Sequence, residues 1–242
     1  MKIMQLIQEK ARDNTSRGAV TVAFLGDSVT QGCFEVYKKA DGSIETVYER
    51  EHAYHTYFNR LVGVLYPNVA INVINAGISG DSTLGGYERL ERDVLRFNPD
   101  LVVVCFGLND ATAGIEGVER YQDTLRKILS KLQETEAELI FMTPNMMNTE
   151  VSVHLTDPEL INIAKVTSSI QNEGIFDRYM EAAKAVCSEL DVPVCDCYSK
   201  WKVLHQNGVD ITEMLSNRIN HPSREMNWLF AISLLETMMM EK

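Results

Sequence analysis

The stretch Val20-Thr-Val-Ala-Phe-Leu25, followed by Gly26-Asp27-Ser28, is typical of a buried strand that ends in a polar turn. Four more apolar runs follow along the chain, at Val69–Ile74, Leu101–Phe106, Glu138–Met142 and Val192–Cys195. Runs that are apolar without alternation suit strands that are covered on both faces, as in a parallel sheet. The pattern predicts an α/β fold, a three-layer α/β/α sandwich with a five-stranded parallel sheet and right-handed crossovers.

Segments with helical periodicity separate the apolar runs. They predict helices over Ala53–Leu65, Tyr87–Arg96, Val118–Gln133, Phe176–Leu190 and from about Ser223 to Met240, the last one capped by Pro222 and Ser223. Met4, Ile7 and Ala11 predict a short amphipathic helix within residues 1–18 that packs on the domain. Two polar segments, Glu35–His52 and Asn145–Gln171, are interpreted as insertions around a site. Because no linker or repeat is visible, we expect a single domain over residues 1–242.

The composition excludes several classes of partner. Twenty-three Lys and Arg residues and 34 Asp and Glu residues give a net charge of −11. This negative charge argues against binding to nucleic acids and against electrostatic binding to anionic lipids. Five cysteines are too few and too odd in number for a disulfide framework, and they favour a reducing cytoplasm. The chain shows neither a 20-residue apolar span nor the apolar segment of a signal peptide, so we expect a cytoplasmic protein without membrane attachment.

The residues that could do chemistry follow the predicted strands. Ligands of an open parallel sheet bind outside the carboxyl ends of its strands, and Ser28, Gly80 and Asn109 each follow such an end. A serine here exposes its hydroxyl at the sheet rim, a glycine offers an unhindered backbone N–H, and an asparagine amide offers two donors. Taken singly, each cluster also fits a simple helix cap or turn.

A fourth cluster, Asn220-His221-Pro222, stands just before the last predicted helix. A histidine on such a loop could swing over the sheet edge and act as a general base, although a lone histidine is more often structural. No group of side chains has metal-ligand spacing, and neither the lysine of a phosphate-binding loop nor a dinucleotide fingerprint is present. We therefore expect no metal and no cofactor.

Together, these four clusters resemble the motifs of the SGNH, or GDSL-type, hydrolase family of esterases and lipases. They occur in the family's order between about residue 20 and residue 235. The resemblance implies a flavodoxin-like SGNH hydrolase fold, with Ser28 as nucleophile and His221 as catalytic base. It also implies an oxyanion hole formed by the backbone N–H groups of Ser28 and Gly80 and the side-chain amide of Asn109.

The chain departs from this family at one position. The family usually has Asp three residues before the histidine, and here that residue is Arg218. The third catalytic group would then come from Asp210, a weak candidate, or from a backbone carbonyl that leaves a Ser–His dyad.

The expected function is hydrolysis of a carboxylic ester through an acyl-enzyme, and the expected substrate is a short acyl ester such as acetyl on a carbohydrate or small alcohol. Candidate substrate-facing residues are Glu35, Tyr37, Tyr48 and Tyr54, with Trp201 as a further aromatic. The alternatives are a non-catalytic ligand-binding protein on the same fold, and a lysophospholipase or thioesterase. The methionine-rich end of the sequence could also be a surface for a partner, so a homodimer is a further expectation.

Overall fold

A computed structural model of the chain describes residues 1–240, and its main feature is the predicted parallel sheet. Its five strands, in chain order, are β1 (Val20–Gly26), β4 (Ile71–Gly77), β5 (Leu101–Cys105), β6 (Glu138–Met142) and β7 (Val194–Cys195). They lie in the order β4-β1-β5-β6-β7, and every neighbouring pair is parallel. The predicted α/β class and five-stranded parallel sheet are thus confirmed.

Helices cover both faces of the sheet. Within residues 1–240 they are α1 (Lys2–Arg12), α2 (Ser28–Gln31), α3 (Tyr54–Leu65), α4 (Thr83–Glu88), α5 (Leu90–Asp93), α6 (Val118–Gln133), α7 (Pro158–Asn172), α8 (Ile175–Glu189), α9 (Cys197–Gln206) and α10 (Asn227–Met240). Helices α1, α3 and α9 each contact α10, and α4, α6, α8 and α7 form a second set in which each contacts the next. Among residues 1–240, none of these helices combines the length and apolar character needed to cross a membrane.

The core forms where these helices meet the sheet. Strand β5 is buried at all five positions, as its unbroken apolar run predicts. The N-terminal helix α1 contributes Ile3, Met4 and Ile7 to the same core. The five cysteines are all buried and unpaired.

Three segments differ from the sequence-based expectation. The insertion Glu35–His52 contains an antiparallel hairpin of β2 (Cys33–Lys38) and β3 (Ile44–Tyr48), and Asn145–Gln171 contains most of α7. The helix predicted over Tyr87–Arg96 is broken at Arg89, whose side chain turns inward to the sheet. Residues 224–226 form a turn, so helix α10 begins at Asn227, four residues after Ser223.

The strand register brings the polar clusters to one edge. Gly26, the last residue of β1, lies opposite Gly77 of β4 and Cys105 of β5. The segments that carry Ser28, Gly80 and Asn109 leave the sheet directly after these aligned residues. This edge is therefore the place where the candidate site forms.

Helix α2 approaches this edge of the sheet so closely at position 77 that only glycine fits there. A Cβ atom at Gly77 would collide with the backbone nitrogen of Gln31, and main-chain atoms cannot rotate away. By contrast, a Cβ at Gly63, which is exposed on α3, would meet nothing within 4 Å.

We expect Gly77→Ala to lower the free energy of unfolding by more than about 2 kcal/mol, because the backbone of α2 must move. The matched change Gly63→Ala should raise it by about 0.5–1 kcal/mol, since alanine is the better helix former. Urea unfolding followed by circular dichroism measures both. Equal effects of the two variants would contradict the close contact at Gly77.

Candidate active site

Ser28 lies at the first residue of the short helix α2, immediately after β1. The carboxylate of Asp27 accepts a hydrogen bond of 3.0 Å from the backbone N–H of Val29 and so fixes the turn. The Ser28 side chain is only 4% exposed. Its Oγ lies 2.9 Å from Nε2 of His221, within hydrogen-bonding distance.

His221 is held from two sides. The side-chain oxygen of Asn217 accepts the backbone N–H groups of Ile219, Asn220 and His221 at 2.9–3.0 Å, which folds the loop into a tight turn. The imidazole Nδ1 lies 2.8 Å from the backbone carbonyl oxygen of Phe34. Because a carbonyl oxygen only accepts, the Nδ1 carries the proton and the lone pair of Nε2 faces Ser28.

The structure corrects the candidate for a third catalytic group. Asp210 is exposed, and its carboxylate accepts the backbone N–H of Glu213 at 3.2 Å. Arg218, at the position where the family usually has Asp, pairs with the Glu213 carboxylate at 2.8 Å. The Nδ1–H of His221 donates its hydrogen bond to the Phe34 carbonyl, so Asp210 does not orient the imidazole.

Gly80 and Asn109 stand at the same edge of the sheet. Gly80 is exposed in the turn after β4 and has φ +79°, a left-handed conformation that suits glycine. The Asn109 amide donates one hydrogen bond of 2.8 Å to the carbonyl of Asp81. That bond orients the amide and leaves its second N–H for another acceptor.

A buried arginine that sequence reasoning did not identify supports this edge. The Arg89 guanidinium donates to the carbonyls of Gly26 and Ala76 at 2.8 and 2.6 Å, near the ends of β1 and β4. It also pairs with the Asp81 carboxylate at 2.6 Å. Arg89 therefore links the two strand ends to the turn that carries Gly80.

Burial governs the electrostatics of the site. It lowers the pKa of His221 to about 4, because a buried imidazolium is poorly solvated, while the Phe34 carbonyl opposes this shift. It raises the pKa of Asp27 to about 7, and the neighbouring carboxylates of Asp110 and Asp81 add to that rise. His221 is thus neutral at pH 7, the form that can accept a proton.

The hairpin that supplies the Phe34 carbonyl is fixed by Arg224, three residues after His221. The guanidinium contacts both carboxylate oxygens of Glu35 at 2.7 and 3.0 Å and both of Glu49 at 2.8 and 2.5 Å. It also lies 4.6 Å from the centre of the Phe34 ring. These contacts raise the pKa of Arg224, chiefly through its bonds to Glu49 and Glu35.

The substrate-facing candidates divide into two groups. Tyr37 and Tyr48 are 55% and 48% exposed on the hairpin. Tyr54 is wrong as a candidate, because it is fully buried and its hydroxyl lies 2.9 Å from Oγ1 of Thr30. Trp201 is likewise fully buried and does not face solvent.

Two cavities are lined by chain neighbours of the candidate residues. A groove of about 500 Å³ is lined by residues 35–38, residues 154–158 with Leu160, and residues 216–218. A smaller cavity of about 210 Å³ is lined by Asn109 and by residues 82–84, among others. The groove thus adjoins the residues that hold His221, and the small cavity adjoins the oxyanion-hole candidate.

Comparisons with known proteins identify the family of the chain. The model of the GDSL-like lipase/acylhydrolase family matches residues 24–229. An acetylxylan esterase from Geobacillus stearothermophilus is 29% identical over 130 residues, which are 50% of this chain and 58% of that protein. An arylesterase from Vibrio mimicus is 33% identical over 72 residues, 30% of this chain and 36% of that protein. The matched stretches therefore span well under two thirds of both relatives.

Solved structures share the fold over nearly the whole chain. The acetylxylan esterase from Geobacillus stearothermophilus aligns with a TM-score of 0.66 at 22% identity, covering 93% of this chain and 96% of that one. A two-domain esterase active on acetylated mannans aligns with a TM-score of 0.70 at 18% identity, covering 99% of this chain and 54% of that one. Since the family model covers most of the sequence, this chain belongs to the GDSL-like lipase/acylhydrolase family.

Proposed function

We propose that the protein is a serine esterase that hydrolyses short acyl esters, such as acetyl esters of carbohydrates, through an acyl-enzyme. The observation that carries the proposal is the contact of 2.9 Å between Ser28 Oγ and His221 Nε2, in a tautomer set by the Phe34 carbonyl. A buried serine and a neutral imidazole in this geometry form an activated nucleophile.

The reaction begins when His221 Nε2 takes the proton of Ser28 as Oγ attacks the ester carbonyl carbon. The negative charge that develops on the carbonyl oxygen is stabilised by the backbone N–H groups of Ser28 and Gly80 and by the free N–H of Asn109. The tetrahedral intermediate collapses, and His221 gives its proton to the departing alcohol. A water molecule, deprotonated by His221, then attacks the acyl-enzyme carbonyl carbon. The second tetrahedral intermediate collapses, His221 returns its proton to Ser28 Oγ, and the acid is released.

The Phe34 carbonyl takes the orienting role that an aspartate has in a triad. It holds the ring in the productive tautomer and accepts the Nδ1–H of the transient imidazolium. A neutral carbonyl stabilises that cation less than a carboxylate does. Arg224 supports the arrangement indirectly, since it fixes the strand to which Phe34 belongs.

A short acyl group is favoured by the enclosed site. Ser28 and His221 are only 4% and 5% exposed, which leaves little open surface at the reacting atoms. The relatives named for acetylated xylan and acetylated mannan support a carbohydrate as the alcohol. Ile78 and Leu84, which are exposed on either side of Gly80 along the chain, favour a longer acyl chain as the second candidate, of the thioesterase or lysophospholipase type.

We expect wild-type turnover of p-nitrophenyl esters to be highest at acetate or butyrate and to fall towards decanoate, because the site is enclosed. Ser28→Ala should lower kcat by at least about 10³-fold, since it removes the nucleophile. Steady-state rates across the ester series, with labelling by a fluorophosphonate, measure both effects.

The control is Ser130→Ala, an exposed serine on α6. A maximum at long chains would favour the second candidate. No turnover and no labelling of the wild type would instead support the non-catalytic binding protein, and unchanged turnover in Ser28→Ala would rule out the mechanism.

Asn109→Ala should lower kcat by about 10²–10³-fold with little change in KM, because the lost N–H acts on charge that develops only in the transition state. Asn68→Ala is the matched control: its amide also donates one hydrogen bond to a backbone carbonyl, that of Ala11, on the surface. Rates for p-nitrophenyl acetate, together with thermal unfolding of each variant, test this. A change confined to KM would contradict an oxyanion-hole role.

The pH dependence of kcat/KM should report the burial of His221. The neutral imidazole is the active base, and burial lowers its pKa from the usual 6.5 to about 4. Activity should therefore stay level as the pH falls from 8 through about 6 and be lost only near pH 4. Acetate release measured by chromatography, with unfolding checked at each pH, tests this. Because burial raises the pKa of Asp27 to about 7, the contradicting result is an inflection between about pH 6 and 7 that Asp27→Asn does not remove.

A further inference from the structure

The groove of about 500 Å³ beside the hairpin, here called the hairpin groove, lies between three segments. They are residues 35–38 of β2, residues 154–158 leading into α7, and residues 216–218. Its volume falls in the range of small-molecule sites. Its walls mix apolar and polar side chains.

Two walls of the hairpin groove are attached directly to His221. Phe34, next to Glu35 in the first wall, accepts the Nδ1–H of His221 through its carbonyl. Asn217, in the third wall, accepts the backbone N–H of His221 at 2.9 Å. A molecule in the groove therefore lies against the two segments that hold His221, although the imidazole itself does not line the groove.

The chemistry of the proposed reaction places the alcohol on that side. The departing alcohol oxygen must receive the proton from Nε2 of His221, so the alcohol lies near the imidazole. The carbonyl oxygen instead points to the donors of Gly80 and Asn109, and Asn109 lines the small cavity. The hairpin groove is thus placed for the alcohol part of the ester.

Both cationic side chains in the groove wall have a carboxylate partner. The Lys38 ammonium contacts Glu159 at 2.7 Å, and the Arg218 guanidinium contacts Glu213 at 2.8 Å. An anionic ligand would have to compete with these carboxylates for the cations. A phosphate or uronate is therefore poorly matched to the groove.

The two acidic side chains of the wall are also compensated. Glu35 is paired with Arg224 at 2.7 Å, and Asp157 caps α7 by accepting the N–H groups of Glu159 and Leu160. Since each of the four charged wall residues has a partner, a neutral ligand rich in hydroxyl groups is the best electrostatic match.

Tyr37 supplies the surface on which such a ligand could rest. Its side chain lines the groove and is 55% exposed, so it is accessible to a ligand there. An aromatic face packs against the C–H groups of a sugar ring while the phenol oxygen stays available for hydrogen bonds. Tyr48, on the partner strand, is similarly exposed but does not line the groove.

We infer that the hairpin groove binds the neutral saccharide that carries the ester, with Tyr37 packing against a sugar ring. This inference rests on the proposed esterase function and assigns the alcohol side of the same site. The two segments that hold His221, β2 and residues 216–218, then also carry residues that select the substrate.

The test compares Tyr37→Ala with Tyr48→Ala on two kinds of substrate: chemically acetylated xylotetraose or mannotetraose, and p-nitrophenyl acetate. The ratio of kcat/KM on the oligosaccharide to kcat/KM on p-nitrophenyl acetate should fall about tenfold in Tyr37→Ala, mainly through KM, as expected for one lost aromatic contact. In Tyr48→Ala the ratio should stay within about twofold. An unchanged ratio in Tyr37→Ala overturns the inference.

A binding measurement separates this inference from the proposed function. Calorimetric titration of Ser28→Ala with the acetylated tetrasaccharides should detect binding that weakens about tenfold when Tyr37→Ala is added. Such binding in a protein whose wild type hydrolyses no ester would refute the esterase while keeping the groove. Equal binding with and without Tyr37, or tighter binding of a tetragalacturonate than of the neutral sugars, would overturn the groove assignment.

Discussion

The hydrogen bond of 2.8 Å from His221 Nδ1 to the Phe34 carbonyl is the contact on which the rest of the site depends. It sets the tautomer, and the tautomer determines that Nε2 faces Ser28 with a lone pair. It also joins the loop before α10 to the hairpin inserted after α2, two segments 187 residues apart. Arg224 reinforces that junction by holding Glu35 and Glu49, on either side of the hairpin, to the His221 segment.

The parts of the molecule that follow local rules were predictable from the sequence. Unbroken apolar runs identified the strands, because a strand covered on both faces has no polar side to display. The common edge of Ser28, Gly80 and Asn109 was predictable because parallel strands bring their carboxyl ends together, and the register of Gly26 with Gly77 and Cys105 does so here. The local signal of His221, its place just before the last predicted helix, was weaker, and the family motifs gave it a role.

The parts that depend on contacts distant in sequence were not predictable. A backbone carbonyl leaves no mark in a sequence, so Phe34 could not be named as the acceptor of the Nδ1 proton. Arg89 lay within a segment whose apolar spacing suggested one continuous helix, and its inward turn depends on carbonyls of β1 and β4. Tyr54 was a candidate substrate-facing aromatic at the start of the predicted helix Ala53–Leu65, but its side chain packs inward against Phe24 and Phe230.

An acceptor that belongs to the main chain has a consequence for how this protein tolerates sequence change. A substitution at position 34 changes the side chain and leaves the carbonyl oxygen in place. A single substitution of an aspartate would instead remove the carboxylate that accepts the hydrogen bond. Arg218 does not orient the imidazole, and it lines the hairpin groove. Position 218 can therefore change together with the molecule that the groove is proposed to bind. A motif search that demands an acid three residues before the histidine would pass over this chain, although its imidazole is firmly oriented.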